Sequence, residues 1–267
     1  MIQNFAFKTK YSIDDLLEII RLLRTPEGCP WDREQTHSSI KKNFIEETYE
    51  VIEAINKDNP DMLREELGDV LMQVLLHCQM EREAGTFSFD DVVDELAQKL
   101  IIRHPHVFGT EHCETAEEVL TTWDRVKTQT KKQTSITQAM ESIPKELPAL
   151  MRAQKVQAKA AKVGFDWDSV SGAVEKVHSE CAEVLDALEN KEQMDVNEEL
   201  GDLIFSCVNV ARFVNADAEE SLSTATEKFI KRFRVVEDLA KQRNIQMKEA
   251  SLQELDVLWD EAKEITK

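Results

Sequence analysis

Four carboxylates recur at one spacing in both halves of the chain: Glu47, Glu50, Glu66 and Asp69, then Glu180, Glu183, Glu199 and Asp202, each displaced by 133 residues. Residues three apart on a helix are surface neighbours, so every E-x-x-E or E-x-x-D pair sets two carboxylates on one side of one helix. If the two helices of each half pack antiparallel, four negative charges converge. Two such charges at ~4 Å repel by ~4 kcal/mol at an effective dielectric near 20. A hard divalent cation with oxygen ligands relieves that repulsion. An all-carboxylate set suits Mg²⁺ or Mn²⁺, whereas Zn²⁺ takes His or Cys. One E-x-x-E alone reads as a solvated acidic face; two acidic pairs on successive helices, duplicated, point to a metal site.

The elements that must position these acids are helices. The chain has only seven Gly and six Pro, and neither occurs after Gly201. Ser12 with Asp15 predicts a capping box opening a helix to Leu23, and Ser38 or Ser39 is expected to cap the next, through Ile40, Phe44, Val51 and Ile55. Asn59-Pro60 supplies an N-cap with proline at the first helical position. The helix it opens, to Gly85, carries Leu63, Leu67, Val70, Leu71, Val74 and Leu75 at the helical period. Ser88 with Asp91 opens a helix ending before Pro105, and Thr115 with Glu118 opens another through Trp123. From Thr128 to Pro148 the chain is polar and holds two prolines, which predicts a connector. Helices are then expected over about 149–163, 170–189, 195–214 and 217–243, with a last one capped by Ser251 and Glu254. This is an all-α tandem repeat, divided as 1–130, a linker over 131–147, and 148–267.

Composition excludes several classes. A formal charge of −19 and a pI near 4.8 argue against unassisted binding to nucleic acid or an anionic membrane. Any phosphate-bearing substrate must arrive with metal or meet local basic groups. Five cysteines, odd in number and without a C-x-x-C pair, predict reduced thiols in a cytoplasm. No run of eighteen apolar residues occurs, and Met1 to Ser12 lacks the apolar stretch of an export signal, so neither export nor membrane insertion is expected.

The repeat extends beyond the acids. Gly28-Cys29-Pro30-Trp31-Asp32 parallels Gly164-Phe165-Asp166-Trp167-Asp168, and Glu66-Leu67-Gly68-Asp69 parallels Glu199-Leu200-Gly201-Asp202. Glycine within a helix costs ~1 kcal/mol against alanine, so Gly68 and Gly201 predict a close approach by another backbone or a ligand. Lys99 and Arg103 parallel Lys228 and Arg232, candidates to hold phosphate oxygens. Trp123 and Lys127 parallel Trp259 and Lys263; each Trp is suited either to stacking on a base or to packing. His104-Pro105-His106 and His112-Cys113 lack a second cluster at zinc spacing and read as loop residues. A di-iron bundle needs Glu-x-x-His, but position i+3 of these acid motifs holds Glu or Asp every time and His178 lies two residues before Glu180; a G-x-x-x-x-G-K-S/T phosphate loop is absent. Cys181, about 100° round the helix from Glu180, reads as a small packing residue.

Glu46-Glu47-x-x-Glu50 followed by Glu66-x-x-Asp69 resembles the EExxE…ExxD motif of the all-α nucleoside triphosphate pyrophosphohydrolases. With Gly28-Cys-Pro-Trp-Asp32, Arg103-His-Pro-His-Val-Phe108, Arg152-Ala-Gln-Lys155 and Val163-Gly-Phe-Asp-Trp167, the chain is similar over nearly its whole length to two-repeat bacterial MazG proteins. The resemblance implies Mg²⁺-dependent hydrolysis of (deoxy)nucleoside triphosphates to the monophosphate and pyrophosphate, for housecleaning or regulation of the nucleotide pool. It also implies a homodimer whose subunits complete helical bundles together. Carried over by position, Glu180, Glu183, Glu199 and Asp202 would ligate Mg²⁺, with Mn²⁺ a substitute, and Glu180 and Glu183 would serve catalysis. Lys176, Glu180, Glu198, Asp202, Lys228, Arg232 and Trp259 would line the nucleotide. The N-terminal repeat offers a second set: Glu46, Glu47, Glu50, Glu66, Asp69, Lys99, Arg103, Trp123 and Lys127. One departure matters, because Ser179 replaces the first glutamate of the motif in the C-terminal repeat. If that glutamate is a general base, the N-terminal site is the better candidate; if it only supports its neighbours, the loss is tolerable.

The expected chemistry is attack of a metal-activated water on the α-phosphorus with pyrophosphate as leaving group, and no covalent nucleophile is required. Two rival readings are a non-catalytic helical adaptor that binds nucleotide, and a narrower hydrolase specific for dUTP or phosphoribosyl-ATP.

Overall fold

Capping chemistry dictates where the helices begin, and the computed structural model, which describes residues 5–130, 135–190 and 193–267, contains thirteen helices and no strand among them. The chain is all-α. It forms two compact units, Met1–Thr130 and Lys131–Lys267.

The first unit contains α1 (Ile13–Leu23), α2 (Pro30–Glu34), α3 (His37–Asn56), α4 (Pro60–Ala84), α5 (Phe89–Arg103), α6 (Pro105–Phe108) and α7 (Ala116–Thr130). Ser12 with Asp15 and Ser88 with Asp91 form the expected reciprocal capping boxes. The cap of α3 differs from expectation. Thr36, not Ser38 or Ser39, is the N-cap, and Ser39 is its N3 partner: the Thr36 side chain accepts from Ser39 N at 3.2 Å, and Thr36 N donates to Ser39 Oγ at 2.9 Å. A serine at N3 does the work of the usual Glu or Gln. Asn59 caps α4, with Pro60 at its first position. Asp58, at φ 48°, adopts the left-handed conformation that Asp tolerates in turns and returns α4 along α3. Gly85 closes α4 at φ 74°. Gly28 is required for another reason: a Cβ there would lie 2.2 Å from the Leu22 carbonyl oxygen.

The second unit contains α8 (Ile136–Glu141), α9 (Ala149–Ala161), α10 (Val170–Asn190), α11 (Gln193–Phe213), α12 (Ala218–Gln242) and α13 (Leu252–Ile265). The polar connector thus carries the short helix α8, opened by Ser135, whose side chain accepts from Gln138 N; residues 131–134 lie outside the described ones. Likewise His104-Pro105-His106 is not a simple loop, since Pro105 starts α6. Asn215 and Asn244, at φ 53° and 56°, turn the chain between α11 and α12 and between α12 and α13.

Each acidic pair of helices is a unit of packing: α3 lies against α4, and α10 against α11. In the first unit Ile20, Ile40, Leu75, Leu76 and Met80 form the buried centre. In the second, Val236, Ala240, Leu258 and Ala262 join α12 to α13. The Arg152-Ala-Gln-Lys155 motif finds a structural use here. Gln154 bonds both sides of the α11–α12 corner, Nε2 donating to Ala216 O at 2.8 Å and Oε1 accepting from Ala218 N at 3.0 Å. Buried Gln157 donates to Phe205 O at 2.8 Å, tying α9 to α11 one turn beyond Asp202.

Leu75 has no exposed surface, and Leu→Ala at such a site removes transfer energy and leaves a cavity. Leu75→Ala is expected to destabilise the first unit by ~2–5 kcal/mol, measured by urea denaturation.

Candidate metal centre

Each helix pair brings three of its four acids together. Glu47, Glu66 and Asp69 in the first unit, and Glu180, Glu199 and Asp202 in the second, each offer a carboxylate oxygen within 4.8 Å of the other two. These are the two groups of three or more candidate ligands among the described residues. Glu50 and Glu183 stand outside the triads, Glu50 hydrogen-bonded to Glu66 and Glu183 to Ser179.

In the N-terminal cluster the charged groups acting on Glu47 and Glu66, among the described residues, are other carboxylates. Burial pushes the Glu47 carboxyl above its ordinary range, and Asp69, Glu50 and Glu46 push it further. Glu66, 9% exposed, is raised by burial first and then by a hydrogen bond with Glu50. Glu46 points away and pairs with Lys42 at 3.0 Å. The first glutamate of the motif is therefore a surface ion-pair residue in this unit.

The C-terminal cluster has a cation of its own. Lys176 Nζ pairs with Glu180 Oε1 and stands 3.7 Å from Glu183 Oε1. Ser179 Oγ donates to Glu183 Oε1 at 2.9 Å, so the residue that replaces the motif's first glutamate fixes its last one. Burial raises the Glu199 carboxyl, with Glu183, Glu180, Asp202 and Glu198 adding to it. The hydrogen bond to Glu180 raises the Lys176 ammonium despite its desolvation.

A cation fits these ligands. Glu180 is 3% exposed and its Oε2 is buried without a hydrogen-bond partner among the described residues. An orphaned buried acceptor costs ~1–3 kcal/mol, and a charged one calls for a counter-charge. Three convergent carboxylate oxygens form a hard donor set suited to a divalent cation.

The remaining expected residues fall on other helices. Lys228 and Arg232 lie on α12 and Trp259 on α13, and each of these helices has the other as its main packing partner. Arg232 donates to Thr266 Oγ1 at 3.4 Å, and half-buried Trp259 rests against Phe229 at 5.0 Å and on the α12–α13 core. Lys263 pairs with Asp260. In the first unit Arg103 lies over the Trp123 ring at 5.2 Å, beside His104. Lys99 is exposed on α5, and the Lys127 side chain lies outside the described ones. Glu198 is exposed next to Glu199. No group lies within 4 Å of a Cβ built on Gly68 or Gly201, so the close approach expected there is not made within the single chain. The Lys176–Glu180 and Ser179–Glu183 contacts escaped the sequence reading, although both are i,i+4 pairs, the spacing that announces such contacts.

Comparison with known proteins finds the same repeat. The family model of the MazG nucleotide pyrophosphohydrolase domain matches residues 35–108 and 168–236. The chain is 44% identical to the nucleoside triphosphate pyrophosphohydrolase of Escherichia coli K12 over 94% of its own length and 97% of the relative's. It is also 44% identical to the Thermotoga maritima protein named nucleoside triphosphate pyrophosphohydrolase/pyrophosphatase MazG, over 94% and 95%. Similarity to the uncharacterized protein YabN of Bacillus subtilis reaches 46% over 92% of this chain and 50% of that one.

The raised carboxyls give a signed pH dependence. A carboxyl whose folded pKa exceeds its unfolded one binds its proton more readily in the folded state, so it costs stability above that pKa and ceases to as pH falls through it. Without metal, Glu47, Glu66 and Glu199 should make the protein more stable as pH falls from about 7 toward 5. The carboxyls held low, such as Asp91 by Ser88 and Glu254 by Ser251, reverse the trend only below their ordinary range, near 4. Thermal melts in chelator should show this rise, and Glu199→Gln should melt higher than wild type in chelator at neutral pH while losing the gain that Mn²⁺ together with a nucleoside triphosphate gives the C-terminal site.

Proposed function

The chain belongs to the MazG nucleotide pyrophosphohydrolase family, and on that premise we propose that it hydrolyses nucleoside triphosphates, with or without the 2′-hydroxyl, to the monophosphate and pyrophosphate at its C-terminal repeat. The observation that carries this reading is the triad of Glu180, Glu199 and Asp202 with the orphaned Glu180 Oε2 among them. Mg²⁺ is the proposed ion and Mn²⁺ its substitute.

Glu180, Glu199 and Asp202 would hold the ion. When bound, it supplies Lewis acidity, screening the triphosphate oxygens and lowering the pKa of a water. Glu183, anchored by Ser179, is the proposed base that would accept the proton of a water attacking the α-phosphorus. The bond from the α-phosphorus to its bridging oxygen breaks, and pyrophosphate leaves. Lys176, its side chain 43% exposed, can turn its ammonium to the phosphates, and Lys228 and Arg232 are assigned by position to the same electrostatic task. Trp259 and Glu198 are assigned to the nucleoside on the same basis. Because Ser179 supports Glu183, the loss of the motif's first glutamate leaves this base in place.

A homodimer is proposed as the working state. Leu185, Leu188 and Ile204 on the acidic helix pair, and Leu222, Phe229 and Ile230 on α12, are all about half exposed or more, and apolar surface on that scale marks an interaction face. A cytoplasmic location is consistent with five free cysteines, and no described helix is long and apolar enough to cross a membrane.

The test is hydrolysis of a panel of ribo- and deoxyribonucleoside triphosphates with Mg²⁺, resolving pyrophosphate from orthophosphate. Pyrophosphate is the expected product, Glu183→Ala should lose ~10²–10⁴-fold in kcat, and Glu66→Gln should stay near wild type. Activity lost in Glu66→Gln but kept in Glu183→Ala would move the site to the first repeat, and binding without turnover would favour an adaptor.

A further inference from the structure

We propose that Lys176 makes cation binding at the C-terminal repeat conditional on the triphosphate, whereas the N-terminal repeat takes the cation alone. This rests on the reading of the acidic triads as metal centres, and it assigns the two repeats different behaviour.

The asymmetry begins with one residue. Lys176 precedes Glu180 by four positions, and the residue 133 positions earlier, four before Glu47, is Asn43. Residues four apart share a helix face, so position 176 delivers an ammonium to the triad where position 43 delivers a neutral amide. In the C-terminal repeat that ammonium pairs with Glu180, lies 3.7 Å from Glu183 and acts electrostatically on Asp202 as well. One positive charge thus serves three of the four acids. In the N-terminal repeat the charged groups that act on Glu47 and Glu66 are all carboxylates: Asp69, Glu50, Glu46 and Glu65.

A divalent cation arriving alone therefore meets different sites. At Glu47, Glu66 and Asp69 it meets uncompensated negative charge. At Glu180, Glu199 and Asp202 it meets a cluster already partly neutralised, with a like charge seated on the buried ligand. The Glu180 side chain is 4% exposed and that of Lys176 43%, so the lysine is the partner free to leave. A triphosphate gives its ammonium several anionic oxygens to move to. Departure of the ammonium from Glu180 and entry of the cation then favour each other, and the coupling is reciprocal. Lys176 is in this sense a placeholder. The C-terminal site is built to accept metal together with nucleotide and to refuse metal without it.

The experiment is calorimetric titration with Mn²⁺ of the full chain carrying Glu47→Gln and Glu66→Gln, so that the C-terminal triad alone is read. Lys176→Met and Lys176→Gln should each tighten Mn²⁺ binding about tenfold in the absence of nucleotide. Lys176→Arg, which keeps the charge, should not. Addition of an α,β-methylene nucleoside triphosphate, with free Mn²⁺ corrected for the analogue's own complex, should tighten binding to the Lys176 protein by a factor about tenfold larger than to Lys176→Met; an equal tightening of the two overturns the coupling. In the converse background, with Glu180→Gln and Glu199→Gln, Asn43→Lys should weaken Mn²⁺ binding by the N-terminal triad. Equal or weaker Mn²⁺ binding by Lys176→Met and Lys176→Gln overturns the proposal while leaving the metal centre intact. Absence of Mn²⁺ binding in every variant sinks both the proposal and the reading beneath it.

Discussion

Mutual repulsion among carboxylates governs this molecule. Two helices that each carry acids at i and i+3 can pack together only if the negative charge they gather is compensated. The fold commits to that packing through apolar contacts elsewhere: Ile40 and Leu75 bury completely between α3, α4 and their neighbours, and Gln157 pins α9 to α11 just beyond Asp202. The scaffold therefore holds the acids in place, and the site takes its chemistry from the unfavourable charge that remains.

The two repeats relieve that charge by different local means. In the first, Glu50 hydrogen-bonds Glu66, whose carboxyl is pushed above its ordinary range, and Glu46 turns outward to Lys42. In the second, Lys176 neutralises Glu180, and Ser179 holds Glu183. Duplication preserved the backbone and the triad, while single substitutions at the flanking positions changed what the triad meets. Equivalence of architecture is thus compatible with inequivalent sites. A glutamate and a serine at the same motif position have unrelated roles, one facing solvent and the other supporting a neighbouring acid.

Much of the fold was legible in the sequence because its signals are local. Capping boxes at Ser12, Ser88 and Ser251, Pro60 at a helix start and Gly85 at a helix end depend on three or four adjacent residues, and periodicity identified the apolar face of α4. The cap at Thr36 was missed because serine stands where a glutamate usually completes the box. The acid triads were legible through duplication, but the sequence reading grouped four acids where the structure converges three. Helical spacing says which residues share a face; it does not say which carboxylates an adjacent lysine or serine draws aside. Spacing placed Lys228 and Arg232 on one later helix and Trp259 on another, as found, but not that these two helices pack chiefly on each other. The open space above Gly68 and Gly201 is likewise beyond spacing, since a glycine within a helix predicts a close approach that no described group of this chain makes.

The most direct measurement is anomalous diffraction from crystals of the protein soaked with Mn²⁺ and an α,β-methylene nucleoside triphosphate. If the carboxylates converge in order to hold a cation, a manganese peak lies among Glu180, Glu199 and Asp202, within bonding reach of the buried Glu180 Oε2. Absence of any peak there, with nucleotide bound and Lys176 still seated on Glu180, would contradict it.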